Sequence, residues 1–114
     1  MRLYMSKRQP ILLIEDIIES GERILLYTVG FTFEQFLSDS KTIDAVIRNF
    51  EIIGEASGRL PNEFKEKYPD IDWNRMRGFR NRLVHDYFGI DLNIIWQIKE
   101  ATLPGLILRL KLLR

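Results

Sequence analysis

The sequence contains no cysteine and only one histidine, and both shortages exclude whole classes of site. Without cysteine, neither a disulfide framework nor a thiolate metal site can form. One histidine cannot supply a metal site that needs several histidines from one chain. The 16 acidic residues leave carboxylate-bound magnesium open, but their spacing does not point to such a site. We therefore expect no cofactor, with carboxylate-bound magnesium as the alternative that the residues leave open.

Long apolar runs and a large net charge are also missing. No stretch is long enough to cross a bilayer, and the N-terminal MRLYMSKRQP does not have the pattern of a secretory signal. We therefore expect a cytoplasmic protein that does not contact the membrane. The net charge is +1, from 17 basic and 16 acidic residues, so any surface that binds nucleic acid must be local.

Apolar residues recur at three- and four-residue steps along most of the chain, and no segment alternates as a strand would. This pattern predicts an all-α fold, an up-and-down bundle of about four main helices with short helical pieces. We expect one domain spanning 1–114, in which residues 1–9 form a flexible N-terminal extension. Because 114 residues make a small core, a homodimer that buries further surface is expected.

Helix boundaries follow from capping residues, glycine and proline. The expected elements are a helix over 10–28, a short piece within 30–37, a helix from Asp39 or Ser40 that ends around Ser57, Gly58 and Pro61, a short helix over 62–69 that Pro69 closes, a helix capped by Asp72, and a helix capped by Asp91 that Pro104 kinks or restarts.

The stretch RNRLVHDY, residues 80–87, holds the only histidine. At 100° per residue, Arg80 falls within an apolar arc that also includes Tyr87, so it either extends its charge to solvent or binds a desolvated anion. Asn81 and His85 share another face with Gly78. Arg80 and His85 point about 140° apart on a regular helix. Either the helix loosens near His85, or a second chain completes a cleft.

Simpler interpretations of these residues remain open. A lone histidine near a helix end is often a C-terminal cap, and a tyrosine in an apolar arc is often a packed core or interface residue. The arginines of this helix can form a solvated face with salt bridges, or a local positive surface. They are Arg75, Arg77, Arg80 and Arg82.

Three segments give the chain a family resemblance. They are FEIIGEAS at 50–57, the run WNRMRGFRNRLVHDYFGID at 73–91, and LPGL at 103–106. The run contains Arg80, then four residues, His85, one residue and Tyr87. This spacing resembles the signature of the HepT-like toxins of the HEPN superfamily, which are small all-helical ribonucleases. The resemblance covers most of the chain but not residues 1–9.

The resemblance implies a homodimer whose cleft holds Arg80 and His85 as RNA-cleaving residues without an obligatory metal. It also implies a minimal nucleotidyltransferase antitoxin as a partner, which transfers AMP onto Tyr87. The residue chemistry is compatible, because a histidine with a pKa near 6.5 can take a ribose 2′-hydroxyl proton, and an arginine can hold a phosphate. Asn81 can support either role.

Two classes of function are therefore expected. In the first, the protein is an endoribonuclease toxin that cleaves RNA and leaves a cyclic phosphate, with Arg75, Arg77 and Arg82 binding the RNA. In the second, it is a catalytically silent helical partner that binds a nucleotidyltransferase.

Overall fold

The computed structural model describes residues 9–78 and 91–114, which form helices and contain no strand. The elements are α1 (Pro10–Thr28), α2 (Phe33–Leu37), α3 (Ser40–Arg59), α4 (Asn62–Glu66), α5 (helical over residues 73–78), α6 (Leu92–Gln97), a π-helical turn (Ile98–Thr102) and α7 (Leu103–Lys111). The prediction of an all-α, HEPN-like bundle is confirmed.

The two long helices, α1 and α3, form the centre of the bundle and pack along each other. Each buries one stripe of apolar residues at three- and four-residue spacing, as an amphipathic helix does. The buried apolar side chains of this pair are Leu13, Ile14, Ile17, Ile18, Ile24, Val46, Ile47, Phe50, Ile53 and Ala56. Burying each large apolar side chain contributes about 1.5–3 kcal/mol.

The last helix, α7, packs antiparallel on α1. Its buried Ile107 lies against Gly21, and ion pairs join Lys111 to Glu22 at 3.3 Å and Arg114 to Glu15 at 3.5 Å. A Cβ on Gly21 would lie 2.9 Å from Cδ1 of Ile107, closer than such atoms approach each other. The missing side chain at Gly21 therefore sets the distance between the two helices.

Gly21→Val is expected to lower the free energy of unfolding by about 1–3 kcal/mol, because the added atoms overpack this contact. Urea denaturation measures the change. Gly105→Val is the matched control, since Gly105 is an exposed helical glycine with no described atom within 4 Å of its added Cβ. Its effect should stay within about 0.5 kcal/mol. Equal losses at the two glycines would contradict this account of the α1–α7 contact.

The predicted starts of the helices agree with the structure. Gly30 follows α1 with a φ of 77°, a left-handed conformation that suits glycine. The side chain of Asp39 accepts a hydrogen bond from the Thr42 amide at 3.1 Å, and that of Asp91 accepts one from the Asn93 amide at 2.9 Å. Both aspartates cap their helices as expected.

The predicted end of α3 is confirmed, and that of α4 was wrong. Helix α3 ends at Arg59, between Gly58 and Pro61, and Ser57 lies inside it, buried, with its hydroxyl donating to the Gly54 carbonyl at 2.9 Å. Helix α4 ends at Glu66 and does not reach Pro69, because the amides of Lys67 and Tyr68 donate to carbonyls three residues back, at 3.2 and 3.0 Å, and the chain tightens into a turn there.

The prediction for Pro104 is confirmed, because an α-helix restarts at Leu103. The π-helical turn separates α6 from α7, and Pro104 occupies the first turn of α7, where its missing N–H costs least.

Candidate functional site

The helix that carries the RNRLVHDY motif starts at a well-defined cap. The side chain of Asp72 accepts a hydrogen bond from the Arg75 amide at 3.0 Å, which confirms Asp72 as the predicted cap. Trp73 and Met76 both pack against the core, as the predicted apolar arc requires. The described part of α5 therefore has the orientation that the periodicity predicts.

The segment before α5 is tied to the rest of the bundle by polar contacts. The indole N–H of Trp73 donates to the Tyr68 carbonyl at 3.2 Å. The guanidinium of Arg109, on α7, makes two hydrogen bonds to the carboxylate of Asp70, at 2.7 and 3.1 Å, and lies 5.6 Å from the ring centre of Tyr68. These contacts fix the start of the motif helix relative to α7.

Arg109 and Asp70 also shift each other's titration. The hydrogen bond from Arg109 lowers the pKa of the Asp70 carboxyl, and the same bond raises the pKa of the Arg109 guanidinium. A bidentate pair between a guanidinium and a carboxylate keeps both groups charged. The pair remains charged at neutral pH.

Of the predicted site residues, Arg75 and Arg77 lie in the described part of α5, and both are exposed. The prediction that they belong to a positive surface is therefore compatible with their positions. Arg80, Asn81, Arg82, His85 and Tyr87 lie outside the described residues. Their predicted roles, and the 140° separation of Arg80 from His85, stay predictions.

The two described arginines differ in their surroundings. Nε of Arg75 is 3.7 Å from a carboxylate oxygen of Asp72, and the Arg75 side chain is 79% exposed, so this pair is open to solvent. The side chain of Arg77 lies along α3, with Cγ 3.8 Å from the position of a Cβ added to Gly58. The stem of Arg77 therefore contacts the end of α3, although the residue is exposed, whereas most of the Arg75 side chain is open to solvent.

Gly78 presents open surface on the described side. Nothing in the described part of the chain lies within 4 Å of a Cβ added there, and the residue is exposed. The described side of Gly78 therefore leaves room for another backbone or a ligand to approach closely.

An apolar groove of about 250 Å³ lies beside α5. It is bounded by α3, α5, the π-helical turn and α7, and Arg75 is the charged residue in its lining. The apolar lining residues are Phe50, Ile53, Met76, Ile98, Leu103 and Leu106. The sequence predicted the apolar stripes on these helices but not the space between them.

The π-helical turn holds a lysine that sequence reasoning missed. Lys99 is buried, its ammonium lies 3.7 Å from the ring centre of Trp96, and it forms a 3.1 Å ion pair with Glu100. Trp96 in turn packs on Phe33 and Phe36 of α2. The ring contacts of Trp96 hold α6 against α2, and the cation–π contact with Trp96 together with the Glu100 ion pair accounts for the burial of the Lys99 charge.

Residues 9–78 and 91–114 contain no cluster of three or more histidine or acidic residues that could hold a metal ion. No helix in the same ranges combines the length and apolar character needed to cross a membrane.

Comparison with known proteins identifies the family. The HepT-like family, described as "Ribonuclease HepT-like", matches residues 17–113. The chain is 46% identical over 93 residues to "Probable ribonuclease HepT" of Thermococcus cleftensis, covering 82% of this chain and 84% of that protein. It is 43% identical over 101 residues to "Putative RNase MJ0127" of Methanocaldococcus jannaschii, covering 89% of this chain and 84% of that protein.

One further relative is larger than this chain. "Gamma-glutamylcyclotransferase and putative RNase MJ0434" of Methanocaldococcus jannaschii is 42% identical over 93 residues, which cover 82% of this chain but 42% of that protein. No solved structure matches the chain. The match over residues 17–113 and the identity to these relatives show that the chain belongs to the HepT-like ribonuclease family.

Proposed function

We propose that the protein is an endoribonuclease toxin of a toxin–antitoxin pair, which cleaves RNA without a metal in a cleft between two copies of the chain. The observation that supports this most strongly is the family match over residues 17–113, a range that includes both Arg80 and His85. The protein acts in the cytoplasm as a single domain.

His85 and Arg80 carry the reaction. The neutral imidazole of His85 takes the proton of a ribose 2′-hydroxyl, and the 2′-oxygen attacks the adjacent phosphorus. The bond from phosphorus to the 5′-oxygen breaks, which leaves a 2′,3′-cyclic phosphate and a 5′-hydroxyl. Water, Tyr87 or His85 of the partner subunit supplies the proton to the leaving oxygen. Arg80 stabilises the charge on the phosphate oxygens, and Asn81 orients the imidazole or a phosphate oxygen.

The rest of the motif helix binds the RNA backbone. Arg75 and Arg77 are exposed on the described part of α5, and Arg82 follows in the sequence. Contacts of this kind recognise phosphate and so do not depend on base sequence. The near-neutral chain thus concentrates positive charge beside the reacting residues.

Toxicity tests this function against the alternative of a catalytically silent partner for a nucleotidyltransferase. Expression of the wild-type chain is expected to arrest growth, and expression of His85→Ala at the same soluble level is not. If the two chains are equally harmless while both bind a nucleotidyltransferase, the silent-partner function replaces the toxin.

A dimer with shared sites is expected, because Arg80 and His85 point about 140° apart on one regular helix. Arg80→Ala and His85→Ala homodimers should both be inactive. When the two variants are unfolded together and refolded as a mixture, about a quarter of the wild-type activity should return, since half of the dimers are mixed and each has one intact site of two.

The control for this prediction is the same procedure applied to each variant alone, which should return no activity. Light scattering should show a dimer at micromolar concentration. A monomer that cleaves RNA, or a mixed sample with no recovered activity, would contradict a site shared between two chains.

A further inference from the structure

Helix α4 packs against the start of the motif helix through aromatic residues. The rings of Phe64 and Trp73 meet edge to face, with centroids 6.5 Å apart and an angle of 63° between planes. Lys65 follows Phe64 on α4, and Arg77 lies one turn beyond Trp73 on α5. The two basic residues therefore lie on neighbouring helices that are in direct contact.

Both basic side chains are held near the bundle. Cγ and Cδ of Arg77 lie 3.8 and 3.9 Å from the position of a Cβ on Gly58, so the side chain runs along the end of α3. Lys65 is half-buried, whereas Lys67 two residues later is exposed. Partial burial, and after it the charge of Arg77, lower the pKa of the Lys65 amine.

Lys65 and Arg77 form no ion pair with the four carboxylates of residues 62–78 in the described structure. Asp72 is engaged by Arg75, and Asp70 by Arg109. Glu63 and Glu66 of α4 are exposed, and neither forms an ion pair with Lys65 or Arg77. The Lys65 amine is partly buried and is repelled by the charge of Arg77, so an anion that binds both side chains stabilises it.

We propose that Lys65 and Arg77 together form a phosphate-binding point for the RNA strand, on the side of the site that precedes Arg80. The proposal rests on the proposed function and adds α4 to the surface that binds substrate. Arg77 is three residues before Arg80 in the sequence, so an RNA that reaches both must extend past the bond being cleaved. The pair is expected to hold a flanking phosphate and to take no part in bond cleavage.

Salt-dependent binding tests the proposal. A single-stranded RNA of about 12 nucleotides is titrated with His85→Ala protein, which does not cut it, at several salt concentrations. Adding Lys65→Gln or Arg77→Gln should each reduce the slope of log Kd against log salt by about 0.7, the value for one phosphate contact on a single strand. Lys67→Gln, an exposed lysine of the same segment, is the matched control and should leave the slope unchanged.

A second measurement avoids substitution altogether. Acetic anhydride labels accessible lysines, and mass spectrometry reads the labelling of Lys65 and Lys67 with and without the same RNA. RNA should protect Lys65 and leave Lys67 reactive. This result does not depend on whether the Lys65→Gln variant folds.

The outcomes separate this proposal from the proposed function. If the wild-type chain cleaves RNA, but the slopes of the Lys65 and Arg77 variants and the labelling of Lys65 do not change, the phosphate-binding point is wrong and the nuclease stands. If the variants lose affinity for the 12-nucleotide RNA yet cleave a dinucleotide at the wild-type rate, the pair binds a flanking phosphate as proposed. If their cleavage of the dinucleotide falls equally, the pair acts at the scissile phosphate, and its placement before Arg80 is overturned.

Discussion

His85→Ala and Arg80→Ala are each expected to lower the rate of RNA cleavage at least ~100-fold, the usual scale for losing an acid–base group or a charge-stabilising group. Because the chain contains one histidine, no second imidazole can replace His85 within the same chain. The assay is single-turnover cleavage of a labelled RNA with excess protein.

The two losses should differ in kind. With His85 intact, the cleavage rate should fall on the acid side as the imidazole becomes protonated, around the ordinary histidine pKa of about 6.5, and His85→Ala should remove this dependence. Arg80→Lys should keep part of the cleavage rate that Arg80→Ala loses, since lysine supplies the positive charge but not the paired donors of a guanidinium.

Two controls distinguish chemistry from folding. Circular dichroism and thermal unfolding of the variants should match the wild type. Lys67→Gln, which removes an exposed charge on the segment after α4, should cleave at the wild-type rate. Wild-type rates in both His85→Ala and Arg80→Ala would place the reaction elsewhere in the molecule.

Adding AMP to Tyr87 is expected to silence the nuclease. Tyr87 is two residues from His85, and on a continued helix it lies about 20° around the axis from Arg80. The new phosphodiester carries a negative charge that can pair with Arg80, in the place of the substrate phosphate. The adenosine also fills space in the cleft, so charge and bulk both oppose substrate binding.

The modification is tested by coexpressing the chain with its proposed partner, a minimal nucleotidyltransferase. Intact mass should show added AMP on the wild-type chain and none on Tyr87→Phe, and the Tyr87→Phe chain should remain an active nuclease. Tyr27→Phe is the matched control, because Tyr27 is exposed on α1 and its substitution should leave the modification intact. If Tyr87→Phe is fully neutralised and wild-type protein carries no AMP, inhibition works by another route.

The positions of the helices were predictable because local chemistry determines where each one begins. Asp39, Asp72 and Asp91 each accept the amide hydrogen bond of a helix start, and this preference is visible in the sequence. Ser57 stays inside α3 although serine prefers helix ends, since its burial against the core outweighs that preference. Local propensity is weaker than tertiary packing at such positions.

Contacts between distant segments could not be predicted in the same way. Asp70 and Arg109 are 39 residues apart, and no pattern in the sequence marks them as partners. The burial of Lys99 depends on a π-helical turn, whose extra residue no helical periodicity reveals. The nearness of Lys65 to Arg77 likewise follows from how α4 packs on α5.

For the candidate site, the sequence predicts which residues take part but not how they are arranged. A motif names residue types and spacing, so Arg80, His85 and Tyr87 could be chosen from the sequence. Their relative geometry depends on the backbone conformation after residue 78 and, in the proposed dimer, on a second chain, neither of which the motif determines. Arg77 shows the difference, because its charge was predicted and its support by Gly58 was not.

Cleavage of a substrate with one altered sugar, in the presence of EDTA, tests the central claim most directly. Once the cleaved bond in an RNA is mapped, the 2′-hydroxyl on its 5′ side is replaced by 2′-O-methyl in an otherwise identical strand. The unmodified strand should be cut in EDTA to give a 2′,3′-cyclic phosphate, and the modified strand should remain intact at that bond. Cleavage of both strands at similar rates, or cleavage that stops when EDTA is added, would contradict metal-independent attack by the 2′-hydroxyl.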